Sequence, residues 1–378
     1  MSKKLWSALL SFALTLSLVA PAAGAAPSER QIELNNPLSA EEARQIKDML
    51  KQRAKLAEFP ALDQSLQKSA GGPTKVIVEL STEPVALAKG LSSIQGQSFS
   101  SSAEAKVEAQ VQLEQRTFIR SLNTKNITHE ISDQYSYAFN GVSMEIDGSK
   151  VEALLDIPGV LGVYPDLEVT VGPKGEVNPY MKDTGPFIGA PDVWDLGYTG
   201  KGIKVGVIDT GIDYAHPVLK DAYKGGYDFV DKDNDPYETT PLDWENDPSN
   251  PPQVDDRGST YWTDHGTHVA GTIGARDAGE YGVVGIAPEA DIYAYRVLGP
   301  YGSGYSSWVL GGIDRSVQDG MDVINLSLGN SRNDPDYVTS VALNNAALAG
   351  VTPVVASGNT GPNRWTVGSP GRRLFRLR

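Results

Sequence analysis

Lys204-Val-Gly-Val-Ile-Asp-Thr-Gly211 is the stretch on which the fold turns. Its apolar run at 204–208 is short and does not alternate, the pattern of a strand buried on both faces of a parallel sheet. Asp209 then falls at the carboxyl end of that strand, where open α/β sheets collect their functional groups. Similar runs recur at 291–298, 323–328 and 351–356, with helical stretches between them. That alternation predicts an α/β domain on a parallel sheet over residues 180–371. Taken alone, a strand-end Asp is more often a helix cap than a catalytic group.

Two further motifs lie downstream. In Asp264-His-Gly-Thr-His-Val-Ala-Gly-Thr-Ile-Gly274, His265 opens a helix whose glycines and Ala270 permit close packing. An imidazole at a buried helix start suits a general base steadied by a carboxylate. His265 and His268 are also spaced i, i+3, which leaves a metal pair as an alternative. No Glu follows His265 as in the zinc-protease motif, however, and no third ligand stands out. In Val354-Val-Ala-Ser-Gly-Asn359, a strand ends on an Asn in a glycine-rich turn. Its amide is either a donor to a developing oxyanion or a left-handed turn residue. His129 and His216 fit no catalytic motif and read as surface or structural.

Upstream, residues 74–172 read as a small α+β domain of ferredoxin-like order, β-α-β-β-α-β. Its expected elements are a strand at 75–80, a helix opened by a Ser101/Glu104 capping box, strands at 126–131 and 137–146, a short helix at 149–155 and a strand at 160–171. Residues 26–73 are polar; Ser39 and Glu42 form a capping box for a helix that reads as a solvated linker. Residues 1–25, with Lys3 and Lys4, an apolar core at 9–19 and Ala23-Gly-Ala25, read as a cleaved export signal, too short to serve as a stable membrane anchor. The 378 residues carry a net charge of −14 and no cysteine. These facts argue against nucleic acid as a partner and exclude disulfides, thiolate nucleophiles and Cys-ligated zinc. The expectation is a secreted, extracellular protein.

The segments around Asp209, His265 and Asn359, in that order, resemble the subtilisin-like serine proteases. Gly302-Ser303-Gly304 and Ser327-Leu328-Gly329 resemble the family's two substrate-lining segments, and Ala356-Ser357-Gly358 a wall of its specificity pocket. The 74–172 domain resembles the family's inhibitory propeptide. The resemblance implies that Asp209 orients the imidazole, His265 relays the proton and Asn359 stabilises the oxyanion. It also implies peptide substrates held as an added strand, the chain's own propeptide as intramolecular inhibitor, and no cofactor for catalysis.

One part of the family pattern is missing. Its nucleophile sits in a Gly-Thr-Ser-Met-Ala type turn well beyond the oxyanion Asn, and no such sequence occurs here. Residues 372–378, with four arginines, read as an aberrant basic tail after a frameshift or premature end. The expectation is therefore a protease inactive at this length. Ser369, beside Pro370, is a poor substitute nucleophile. A non-catalytic alternative is a propeptide-type inhibitor or chaperone for a related protease. Asp231, Asp233 and Asp235 alternate as calcium ligands can, but Pro236 replaces the glycine of an EF-hand and no closing Glu follows. Calcium for stability is thus a weak expectation.

Overall fold

The computed structural model describes residues 40–67, 71–171, 181–277 and 282–372. The expected export signal, Ser39, the 172–180 connection and residues 373–378 lie outside them. From Arg44 onward the chain forms one compact unit.

The polar segment does not float in solvent. Helix α1 (Ala40–Glu58) and strand β1 (Ala61–Leu62) lead into β2 (Pro73–Leu80). Ile46 is buried. Arg53 donates to the Glu79 carboxylate at 2.6 Å and to the carbonyls of Leu80, Ser81 and Thr82. The solvated-linker reading is corrected: carbonyls released where β2 ends need donors, and a guanidinium fork supplies several.

Helices α2 (Val85–Ile94) and α3 (Ser101–Thr124) follow, then β3 (His129–Tyr135), β4 (Gly141–Asp147) and β5 (Val160–Pro165). The sheet order is β1-β5-β2-β4-β3, antiparallel except where β1 joins β5. Phe118 and Leu122 of α3 pack on its inner face with Val76, Val78, Val142 and Met144. Local boundaries moved for local reasons. Ser100, not Ser101, caps α3, accepting from the Ala103 N–H at 3.2 Å. The 149–155 helix is two 3-10 turns, Gly148–Lys150 and Glu152–Leu154. Helix α2 was not foreseen. The strand expected at 160–171 breaks at Asp166 and Leu167, and its second half becomes β6 (Glu168–Thr170).

After α4 (Met181–Phe187) and α5 (Ala190–Asp195) comes the second sheet. Its strands are β7 (Lys204–Asp209), β8 (Tyr223–Asp228), β11 (Asp291–Arg296), β13 (Val323–Leu326) and β14 (Thr352–Val355). Their order is β14-β13-β7-β11-β8, and every pairing is parallel. Strand β8, Tyr-Lys-Gly-Gly-Tyr-Asp, escaped the sequence reading because it has no apolar run. Between these strands lie α6 (Pro241–Asn246), α7 (His265–Gly274), the β9/β10 pair (Arg276–Asp277, Val283–Val284), β12 (Ser303–Tyr305), α8 (Ser306–Gln318) and α9 (Val338–Leu348).

The two sheets share a core. Ile77, Tyr135, Phe139 and Val169 from the N-terminal side pack with Ile208, Val309, Ile313, Leu343 and Tyr337. Asp166 caps α8, accepting from the Ser307 N–H at 2.8 Å and its hydroxyl at 2.7 Å. In the other direction, Asp314 on α8 accepts from the N–H groups of Ser136, Tyr137, Ala138 and Phe139 at 2.6 to 3.2 Å. Burial outweighs those donors and raises the Asp314 pKa to about 6.

Candidate active site

Asp209 ends β7, fully buried, and His265 is the first residue of α7. They meet through a bond of 2.7 Å between His265 Nδ1 and Asp209 Oδ1. The Thr210 N–H donates to the same oxygen at 2.8 Å. The backbones behind them are in contact: a Cβ on Gly266 would lie 2.1 Å from the Gly211 carbonyl oxygen. Only glycine fits there, so the main chain itself sets the separation of the two side chains.

Burial disfavours the imidazolium, but the hydrogen bond and charge of Asp209, with Glu238 and Asp264 nearby, outweigh it. The His265 pKa therefore lies above its ordinary value. With Nδ1 committed to a carboxylate, Nε2 is the nitrogen left to exchange a proton. His265 lines a cleft with Thr210, Trp262, Tyr301, Gly302 and, from the N-terminal side, Val171.

Of the two segments expected to line a substrate, Gly302 borders this cleft, and main-chain bonds from β6 and its neighbours reach both segments. Strand β6 pairs antiparallel with β12, matching Ser303 to Thr170, Gly304 to Val169 and Tyr305 to Glu168. On its other edge Thr170 and Gly329 exchange main-chain hydrogen bonds of 3.1 and 3.2 Å. The Val171 N–H continues the ladder to the Gly302 carbonyl at 3.3 Å. Ser327 accepts from Asn325 at 3.0 Å, and the Leu328 side chain is buried in the core.

The remaining sequence-level candidates are placed elsewhere. Ala356, Ser357, Gly358 and Asn359 form an exposed turn after β14. Ser369 is buried, its hydroxyl 2.9 Å from the Arg332 carbonyl and 3.0 Å from that of Asp334. His268 is exposed. His129 Nδ1 lies 2.9 Å from the Ile127 carbonyl, and His216 Nδ1 accepts from the Val218 N–H at 3.4 Å. Asp231 pairs with Arg296 at 2.5 Å, Asp233 accepts from the Asp235 N–H at 2.8 Å, and Asp235 from the Tyr214 hydroxyl at 2.7 Å. Among the described residues no three His, Asp or Glu side chains converge on a metal position. Sequence reasoning missed Glu238, a buried carboxylate beside this pair.

A strand-end Asp bonded to a helix-opening His, with a peptide strand clamped between Gly302–Gly304 and Gly329, narrows the family sharply. Residues 200–373 match the subtilase family, and residues 75–171 match the peptidase inhibitor I9 family. This is a subtilase domain behind an I9 propeptide domain. The chain is 45% identical over 311 residues to the minor extracellular protease Vpr of Bacillus subtilis, covering 79% of this chain and 35% of that protein. It is 34% identical to subtilisin E of the same organism over 64% of this chain and 56% of that one. It is also 40% identical to the B. subtilis major intracellular serine protease, over 46% of this chain and 48% of the relative. The chain thus spans between a third and just over half of the length of these relatives. Among the described residues no subtilase or propeptide helix is long and apolar enough to cross a membrane.

Proposed function

We propose that this chain is the zymogen portion of an exported subtilisin-type serine endopeptidase, in which the propeptide occupies the substrate cleft as an inhibitor. Asp209 fixes the tautomer and orientation of His265. His265 takes a proton from an attacking serine and passes it to the leaving amine. Asn359 donates to the tetrahedral oxyanion once a substrate carbonyl is in place. Substrates bind as β6 does, by strand addition between Gly302–Gly304 and Ser327–Gly329, with Ala356, Ser357 and Gly358 bordering the pocket for the residue before the scissile bond. On this reading the reaction needs no cofactor.

The observation that carries this reading is the three-stranded arrangement of β12, β6 and Gly329, with Val171 beside His265. A peptide running in that direction delivers its next bonds to the imidazole. The Asp209–His265 pair is present, but no segment of the given sequence matches the family's nucleophile turn, and on this reading these residues by themselves do not hydrolyse peptides. A fluorophosphonate probe together with casein tests this: neither labelling nor turnover is expected. Labelling of Ser369 accompanied by casein cleavage would reverse the conclusion.

The interface also supports action in trans. The same propeptide surface, with its four N–H groups aimed at Asp314 and Asp166 capping α8, fits any subtilase that presents an equivalent helix. The 74–172 region added to a cognate protease is expected to inhibit it tightly. Inhibition no better than micromolar would count against the inhibitor role.

A further inference from the structure

Glu238 is a buried carboxylate that neither the motifs nor the peptide-binding geometry calls for. It lies between β8 and α6 and is 6% exposed. Its Oε1 accepts from the Thr267 N–H at 2.8 Å and the Thr267 hydroxyl at 2.9 Å. Its Oε2 accepts from the Thr263 hydroxyl at 2.6 Å. The hydroxyl of Thr210, the residue after Asp209, donates to it as well.

These contacts converge on the first turn of α7, where His265 is the first residue and Thr267 the third. A helix start leaves its leading N–H groups without intrahelical partners, and the residue before the helix commonly serves one of them. Asp264 is the N-cap residue, but its side chain makes no capping bond to this turn. Instead the Gly266 N–H donates to Thr210 Oγ1 at 2.8 Å and the Thr267 N–H to Glu238. The turn that carries His265 is therefore pinned by groups from two other segments, and Glu238 bonds to both sides of the pin. Any neutral oxygen could accept an N–H. A carboxylate is costly to bury, yet at a helix N-terminus it faces a favourable dipole. Burial raises the pKa of the Glu238 carboxyl, and in its ionised form its charge favours the imidazolium of His265.

We propose that Glu238 is a positioning residue for His265, holding the first helical turn so that the imidazole meets Asp209 and adding charge that favours the imidazolium. Asp209, Glu238 and Asp264 are the charged groups that act on His265. The proposal rests on His265 serving as the base, but its test reads the imidazole directly and needs no turnover.

The whole chain contains four histidines, few enough to titrate individually by NMR. Glu238→Gln keeps an acceptor for Thr267 and removes the charge. It is expected to lower the His265 pKa by about one unit while retaining a slowly exchanging Nδ1–H. Glu238→Ala removes acceptor and charge together. It is expected to lower the pKa and also to speed Nδ1–H exchange about tenfold, a defect that Gln rescues. An unchanged His265 pKa in Glu238→Gln overturns the proposal, as does full Nδ1–H protection in Glu238→Ala. If the Ala variant does not fold, the Gln titration alone decides. Asp209→Asn separates the two readings. If Asp209→Asn leaves the imidazole unaltered, the acid–base pair itself is misassigned and the proposal falls with it. A silent Glu238→Gln beside a responsive Asp209→Asn sinks the Glu238 role alone.

Discussion

The surroundings of His265 and those of Asn359 are built in opposite ways. In the first, Asp209 and His265 sit on a central strand and a helix start, tied through Thr210, Thr267 and Glu238 into a largely buried mesh. In the second, Asn359 follows edge strand β14, in which Val354 is 49% exposed, and the 356–360 turn lies open. Around His265 the proposed chemistry and the stability of the domain would use the same atoms. Around Asn359 they would be separable. Substitutions should therefore cost activity and folding together on one side, and activity alone on the other.

The largest effect should come from His265→Ala in a version of the chain that carries a nucleophile. A loss of about a million-fold in kcat is expected, and about ten-thousand-fold for Asp209→Ala, magnitudes measured on a subtilisin itself. Asp209→Ala should also lower the thermal midpoint, since it leaves the Thr210 N–H and His265 Nδ1 without their acceptor. In the same background Asn359→Ala should cost about 100- to 1000-fold, again a magnitude known from a subtilisin, with the midpoint unmoved. A matching loss of stability in Asn359→Ala would erase the contrast. Because His265 must be neutral to accept a proton, activity should rise with pH through a pKa above the ordinary histidine value.

Asp314→Ala probes the propeptide interface, which resembles the surroundings of His265 in using one buried carboxylate to serve many donors. Four N–H groups lose their acceptor, so the stability of the whole chain should fall by roughly 3 kcal/mol or more, as read by denaturant unfolding. The Asp314 pKa is raised from 3.8 to about 6 by burial. A raised carboxyl pKa means that the folded state binds the extra proton. Its contribution is complete below about pH 4 and is lost as pH climbs through about 6. The difference in stability between wild type and Asp314→Asn should change across that window and level off above it. The smallest effect belongs to the part-exposed Asp63–Arg332 pair. Arg332→Ala should cost about 1 kcal/mol, and a cost several times larger would mean that the pair is a principal anchor.

What was legible in the sequence followed from periodicity and from strand ends. The runs at 291–298, 323–328 and 351–356 each contain an observed parallel strand and 204–208 lies within one, whereas the pairing of Asp209 with His265 was implied by the family resemblance and not by periodicity. Strand β8 was illegible because Gly225 and Gly226 stand where apolar residues would, and a Cβ at Gly226 would lie 1.7 Å from the Ala294 carbonyl oxygen. Glu238 was illegible because its partners are 25 and 29 residues away and none of them signals a shared carboxylate. The clasp of Asp314 on residues 136–139 spans separations of 175 to 178 residues, beyond any local pattern. Strand β6 was read as the end of a strand in its own sheet. It left that sheet because Asp166 and Leu167 are drawn to the start of α8, where Ser307 and Ser306 donate to them.

The segment before the propeptide grips both partners of the inhibited pair. Arg53 of α1 binds the carbonyls at the end of β2, and Asp63, just after β1, binds Arg332 a few residues beyond Gly329. Severing the chain between 171 and 181 would turn a covalent tether into a multipoint ligand, and every grip just named would survive the cut. Escape from inhibition would then wait on the slowest of several simultaneous releases.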